Sequence, residues 1–251
     1  MKVIIFGATG AVGHSVTKAA VRENHDVTLF VRNKAKLEAL LGSDILSHCR
    51  VIEGDALESS SVREALRGHS AAINASGHAK DGHQFHLLFK GIVEAAAECL
   101  DPPKRLWMLG GVTALDVPGS LDTSEALNDL PILYRTPYRT HTENYGVLLS
   151  DIASSLDWSM MCPGVLYEVD QRPATAPAGP LHTFTDAAQI SLPTWALSKW
   201  CPKVLVSLLA IRQLGSFTVG LADVADVIVG NLRAGEFFKK RVGLKRDPTS
   251  A

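Results

Sequence analysis

Short apolar runs alternate with helix-period segments through residues 1–165, which is how a parallel α/β sheet reads. Lys2–Phe6 predicts the first strand, and Val12, Val16 and Ala20, spaced by four, predict the inward face of the helix after it. Asp26–Val31 predicts a second strand, Ala35–Leu41 a short helix and Arg50–Glu53 a third strand. Ser59 or Ser60 stands where it would cap a helix that buries Val62, Ala65 and Leu66. A fourth strand follows at Ala71–Ala75, and then Phe85, Leu88, Phe89, Ile92, Val93 and Ala96 share one face of the most regular helix in the chain. Arg105–Leu109 predicts a fifth strand. After an irregular stretch to about Pro137, a helix with Tyr145, Leu148, Leu149 and Ile152 inward leads to a sixth strand at Trp158–Cys162. The strands are short and rich in valine and isoleucine, as strands buried on both faces are.

Beyond Gly164 the pattern weakens. Residues 170–194, rich in proline, alanine and threonine, predict an extended excursion over the surface. Thr194–Leu214 is an apolar helical segment carrying Trp195 and Trp200; it reads as the cover of an apolar pocket, a dimerisation helix or a plain core element. Asp223–Leu232 aligns Val224, Val227, Ile228 and Leu232 on a last helix, and the chain closes through Phe237-Phe238. The expected architecture is a Rossmann-type, doubly wound parallel α/β sheet. Residues 1–165 form its core, 166–218 a substrate-side cap, and 219–251 a helix and strand returning to the core.

Composition narrows the function classes. With 251 residues, 46% hydrophobic and 20% charged, and a net charge of -1, the chain is globular rather than disordered. It carries no global basic field for nucleic acid or membrane. Lys239, Lys240, Arg241, Lys245 and Arg246 read as a solvated basic tail. The four cysteines are scattered, which argues against a disulfide framework or a zinc knuckle. The longest apolar stretch is interrupted by Pro193, Lys199, Pro202, Lys203 and Arg212, so no membrane-spanning helix is expected. Met1 leads straight into the first strand with no room for a leader, and a cytoplasmic location is the expectation.

The strongest chemical signal is Gly7-Ala8-Thr9-Gly10-Ala11-Val12-Gly13, directly after a predicted strand and opening a predicted helix. In such a loop Gly7 permits the tight turn, Gly10 lets backbone approach a pyrophosphate, and Gly13 lets helix and strand close up. The phosphate rests on the N–H groups of the helix start, here from Thr9 through Ala11, Val12 and Gly13. The second strand ends at Val31-Arg32-Asn33, with Lys34 and Lys36 beyond. A site selective for NAD places a carboxylate there, whereas a guanidinium pairs with the 2′-phosphate of NADP. Arg32 therefore predicts NADP(H). Glu53-Gly54-Asp55, after the third strand, offers an exposed carboxylate that either accepts a hydrogen bond from the adenine amine or simply opens the next helix, and Ala75-Ser76-Gly77 are small enough for a cofactor to run beside them.

Together these segments, with Gly54-Asp55, Arg105–Gly111, Leu156-Asp157-Trp158, Pro163-Gly164 and Asp223-Val224-Ala225, resemble the atypical short-chain dehydrogenase/reductases with NAD(P)H-binding, NmrA-like domains. The small NADPH reductases of the biliverdin-IXβ/flavin reductase kind are closest in pattern. The resemblance implies pyrophosphate on the glycine loop, 2′-phosphate on Arg32 and adenine at Asp55. It also implies either a reductase of flavins, quinones or tetrapyrroles or a member that binds dinucleotide without turnover.

One departure stands out. Short-chain enzymes commonly use Tyr-x-x-x-Lys, yet four residues after Tyr134, Tyr138, Tyr145 and Tyr167 stand Tyr138, Thr142, Leu149 and Gln171. The serine usual after the fifth strand is replaced by Gly110-Gly111. Alcohol dehydrogenation is thus unsupported, while hydride transfer to a flavin, quinone or conjugated carbonyl needs mainly positioning. His141, favoured by an ordinary histidine pKa, and Tyr138 are the candidate proton donors, with Glu143 beside them. An exposed helix-start histidine is the competing reading of His141. His83 and His86 lack companion ligands, so no metal is expected and the loop with His78 reads as a pocket rim.

The reading is an NADPH-dependent oxidoreductase acting on a small, planar, fairly apolar acceptor, with no nucleic-acid partner and with a homodimer as one use of Thr194–Leu214. Its rival is a non-catalytic NADP(H)-binding redox sensor that docks a partner protein; isomerase or epimerase chemistry comes third.

Overall fold

In the computed structural model, residues 1–118, 126–133, 137–174, 176–197, 200–233 and 235–247 are described. The alternation seen in the sequence becomes β1 (Lys2–Phe6), α1 (Ala11–Arg22), β2 (Asp26–Val31), α2 (Lys34–Leu46), β3 (Cys49–Glu53), α3 (Ser59–Leu66) and β4 (Ala71–Asn74). Next come α4 (His83–Cys99), β5 (Arg105–Leu109), α5 (Thr140–Leu149), β6 (Asp157–Met161) and β7 (Leu166–Tyr167). The remainder supplies β8 (Leu181–Thr185), α6 (Lys203–Leu214), β9 (Val219–Gly220), α7 (Leu221–Gly230) and β10 (Lys240–Arg246).

The main sheet runs β3-β2-β1-β4-β5-β6-β10-β8 and is parallel except for β8, which pairs antiparallel with β10. This is the doubly wound arrangement expected from the sequence. Alternate residues of β1 feed opposite layers. Ile4 and Phe6 join a core with Val62, Leu66, Phe89 and Val93 of α3 and α4, while Val3 and Ile5 join one with Val16, Leu37 and Val224 of α1, α2 and α7. The chain reverses its direction of winding between β1 and β4, and in such sheets the crevice at that point is where ligands sit.

Several local expectations change. α3 begins at Ser59 with Glu58, not Ser59 or Ser60, at its cap position, and no side chain there bonds the helix start. α2 runs past Leu41 because Gly42, at φ +72°, lets the chain kink and resume. Leu149 and Ile152 face solvent rather than inward, since α5 ends at Leu149. The excursion over 170–194 contains β8, which lays Phe184 against the core.

The basic tail is the largest correction. Lys240–Arg246 is a strand, and Arg241 is only 3% exposed. Its Nη1 and Nη2 donate to Asp116 Oδ1 and Oδ2 at 2.9 and 2.6 Å, Nη1 also donates to the Ala114 carbonyl, and the guanidinium lies 4.1 Å from the Tyr145 ring centre. Arg246 forks onto Asp223 at 3.0 and 2.6 Å. A charged residue is buried here because a bidentate carboxylate awaits it.

Candidate functional site

A cleft of about 320 Å³ opens at the carboxyl ends of β1, β2 and β4, over the winding reversal. Its floor is the glycine loop. Gly7 adopts φ +83°, and a Cβ there would meet the Ala75 carbonyl oxygen and Ser76 nitrogen at 2.6 Å. A Cβ on Gly13 would fall 2.1 Å from the Gly7 oxygen, so that glycine is demanded by the contact between helix and strand. Gly10 differs. A Cβ there would meet nothing nearer than the Gly7 oxygen at 3.4 Å, so the protein's own packing does not require glycine at this position. Gly10 is also the cap residue of α1, no side chain caps that helix, and its first turn carries no acid. The partial positive charge of the helix start therefore faces the cleft with no acidic side chain in its own first turn to offset it. Gly7, Thr9 and Gly10 line the cleft; Ala11, Val12 and Gly13 stand behind them in the first turn of α1.

The side wall comes from the end of β2. Asn33 caps α2, its Oδ1 accepting the Lys36 N–H at 2.8 Å, and this turn brings Arg32 and Lys36 together onto the cleft. Lys34 points elsewhere, 4.0 Å from Glu38. Among the described residues, neither Arg32 nor Lys36 has a carboxylate oxygen within ion-pair distance. Asp55 lines the same wall, with Oδ1 accepting the Leu57 N–H at 3.0 Å. Gly54 beside it is packed against Phe30 and Ser61. Opposite, Ala75, Ser76 and Gly77 follow β4; the Ser76 N–H donates to Asn74 Oδ1 at 3.0 Å, and Gly77 at φ +86° passes against the Phe85 ring. Lys36, Leu57, Asp81, Gln84, Phe85 and Leu88 are among further lining residues that the motif did not single out. The i+3 step from a capping asparagine was the available signal for Lys36.

His141 and Tyr138 lie one side-chain layer away, beyond Phe85. Their rings stack at 6.2 Å, and Phe85 meets His141 edge-on at 5.7 Å. Gly111 makes this possible, because a Cβ there would stand 2.8 Å from the imidazole. His141 is 8% exposed and its Nδ1 has no partner. Burial, with a smaller contribution from His78, pushes its pKa down to about 4. The expectation of an ordinary, accessible histidine is thus corrected: at neutral pH this ring is uncharged and enclosed. Tyr138 is 42% exposed. Tyr134 and Lys199 lie outside the described residues. One turn on from His141, Asn144 Oδ1 meets His86 Nδ1 at 2.9 Å. Burial pushes the Cys162 thiol up to about 12, which removes it as a nucleophile. Among the described residues no group of three or more His, Cys, Asp or Glu is placed to hold a metal, and no helix is long and apolar enough to cross a membrane.

Residues 7–192 match the model of a family described as NAD(P)H-binding. The chain belongs to this NAD(P)H-binding family. Its match spans the glycine loop, the Arg32 turn, the β4 exit and the His141 region alike. An uncharacterized Bacillus subtilis protein, YwnB, is 28% identical over 175 residues, 67% of this chain and 74% of its own length. Among solved structures, a candidate NADH-flavin reductase from Streptococcus pneumoniae superposes with a TM-score of 0.66 at 19% identity, covering 98% of this chain and 100% of that one. ChuY, an anaerobillin reductase from Escherichia coli O157:H7, gives 0.63 at 17% identity over the whole of both chains. These likenesses establish a shared fold. The open Gly10, the uncapped start of α1 and the Arg32–Lys36 pair fit the nicotinamide dinucleotide that the family binds.

Proposed function

We propose that the protein is an NADPH-dependent oxidoreductase that reduces a small, planar, fairly apolar acceptor. The observation that carries the reading is the pairing of Arg32 and Lys36 on a cleft wall where β2 ends without a carboxylate. Two cations there suit a 2′-phosphate. The start of α1 and the bare face of Gly10 hold the pyrophosphate, and Asp55 faces adenine. The bound dinucleotide, in its reduced form, supplies a hydride. Phe85 and the small residues after β4 give the cleft a flat wall and keep water from one side of it. Neutral His141 stacks on the Tyr138 ring behind Phe85, so solvent at the cleft delivers the proton that an acceptor takes up with the hydride.

The test is NADPH consumption by the purified protein against flavins, quinones and conjugated carbonyls, with Gly10→Phe as the blocked control. Acceptor-dependent loss of NADPH that the control abolishes supports the reductase. Cofactor binding without turnover against any acceptor favours the rival reading, a dinucleotide sensor. The missing Tyr-x-x-x-Lys pair and the depressed pKa of His141 are what speak for it.

A further inference from the structure

Hydrogen-bond donors are left without acceptors at the start of α4, beside the cofactor cleft. The cap residue, Gly82, has no side chain, and the first turn carries no acid. The backbone N–H groups of Gly82 and His86 donate to the carbonyls of Ala79 and Gly82. Those of His83, Gln84 and Phe85, between them, have no acceptor among the described residues. A second helix adds to the same turn. Asn144 of α5 is fully buried, and its Oδ1 meets Nδ1 of His86, the fourth residue of α4, at 2.9 Å. The Nδ2 of that amide is buried with no partner. Buried donors in folded chains are nearly always paired, so an unpaired one at an uncapped helix start marks a place for an outside acceptor.

The donors set the sign of what fits. An amide nitrogen and a main-chain N–H only donate, and the helix start adds partial positive charge. Asp81, just before the cap, lines the cofactor cleft and bonds none of the three N–H groups. Glu143 of α5 is engaged by Arg139 at 3.6 Å. Gln84 and Phe85 line the cofactor cleft, whereas His83 and His86 stand outside that lining, so this turn borders the cleft rather than forming its floor. We propose that the start of α4, with Asn144, seats a negatively charged substituent of the acceptor, a phosphate or a carboxylate. The inference rests on the reductase reading and narrows its acceptor to planar molecules that carry a fixed negative charge. The anion takes no part in hydride transfer; it anchors the acceptor beside the cofactor.

The experiment titrates the full chain, saturated with NADP⁺, with two matched pairs: FMN against riboflavin, and a naphthoquinone carboxylate against its methyl ester. With the cofactor bound, the anion is kept from Arg32 and Lys36. Calorimetry should find the charged member bound about tenfold to a hundredfold more tightly in at least one pair, the worth of charge-assisted hydrogen bonds, and that pair identifies the anion. His83→Glu sets a carboxylate beside the free N–H groups at an exposed position, where an acid suits a helix start. It should erase the preference while binding of the uncharged member and of NADP⁺ stays as it was. Asn144→Leu should reduce the preference. Equal affinity within both pairs overturns the proposal, as does a failure of all four to bind. So does a preference that either variant, folded by circular dichroism, leaves intact. NADPH oxidation with riboflavin, which has no anion, is read separately. Its absence counts against the reductase while the binding pairs still judge the anion site; riboflavin turnover with no preference in either pair sinks the anion site alone.

Discussion

Replacing Gly10 and Gly13, one at a time, by alanine separates packing from ligand approach. In Gly13→Ala the new methyl would begin 2.1 Å from a backbone oxygen and 2.6 Å from its carbon, so α1 must move off β1. Overpacking of this kind costs about 2–3 kcal/mol, and for a chain of this length that lowers Tm by about 4–12 °C. In Gly10→Ala the methyl has ordinary contact at 3.4 Å, and the backbone at φ -90°, ψ 160° suits alanine. Only the modest penalty of a poor cap applies, about 0.5–1 kcal/mol or roughly 1–4 °C. The response to cofactor runs the other way, because Gly10 lines the cleft and Gly13 stands behind it. At NADPH one hundred times Kd the unaltered protein gains about 2.7 kcal/mol, a rise of about 5–11 °C. If the Gly10 methyl weakens binding about tenfold, the same NADPH yields about 1.4 kcal/mol and half the rise. Thermal melts with and without NADPH, backed by calorimetric titration, read both quantities. A Gly10→Ala protein that gains as much from NADPH as the unaltered chain would refute the placement of the pyrophosphate on this loop.

Arg32→Ala should reduce the preference for NADPH over NADH by about tenfold to a hundredfold, the worth of a charge-assisted contact of roughly 1.5–3 kcal/mol. Lys36 shares the wall, so the lower end is expected and Arg32→Ala with Lys36→Ala should reach further; competitive binding titrations measure it. His141 is neutral in the fold to about pH 4 while an unfolded histidine protonates near 6.5. It leaves stability untouched above pH 6.5 and costs a growing amount as pH falls from 6.5 to 4, in all roughly 3 kcal/mol. His141→Gln should therefore flatten part of the acid limb in denaturant unfolding measured across that window, and an unchanged limb contradicts the burial argument. Arg241→Ala strands Asp116 and should lower stability by about 3–5 kcal/mol, with Arg241→Lys recovering only part because lysine cannot form the fork; chemical denaturation of both variants checks this.

How far the sequence speaks depends on the reach of the forces involved. β1, α1 and β2 are legible because each buries residues at a spacing set by its own geometry, and Gly7 and Gly13 because only glycine tolerates the contacts they make. The turn at Arg32 is legible for the same local reason, and Asn33 as a cap makes Lys36 its partner on the wall. His141 reads wrongly because its enclosure depends on Gly111, thirty residues earlier, and on Phe85 from another helix. Arg241 reads wrongly because its carboxylate partner is in a loop more than a hundred residues away. β8 has one buried side chain in five, too few for alternation to announce a strand. Long-range pairing converts polar stretches into sheet without leaving a periodic mark.

The pairing of β10 with β6 has a consequence during synthesis. β6 is complete by Met161, but the strand that covers its outer edge spans Lys240–Arg246, about 80 residues later. At a translation rate of about 5–20 residues per second, roughly 4 to 17 s pass in which β6 is an open edge on a nascent chain. Its unpaired backbone and its methionines then resemble a template for another strand. Slowing translation after residue 161 lengthens that interval and should lower the soluble yield more than slowing it before.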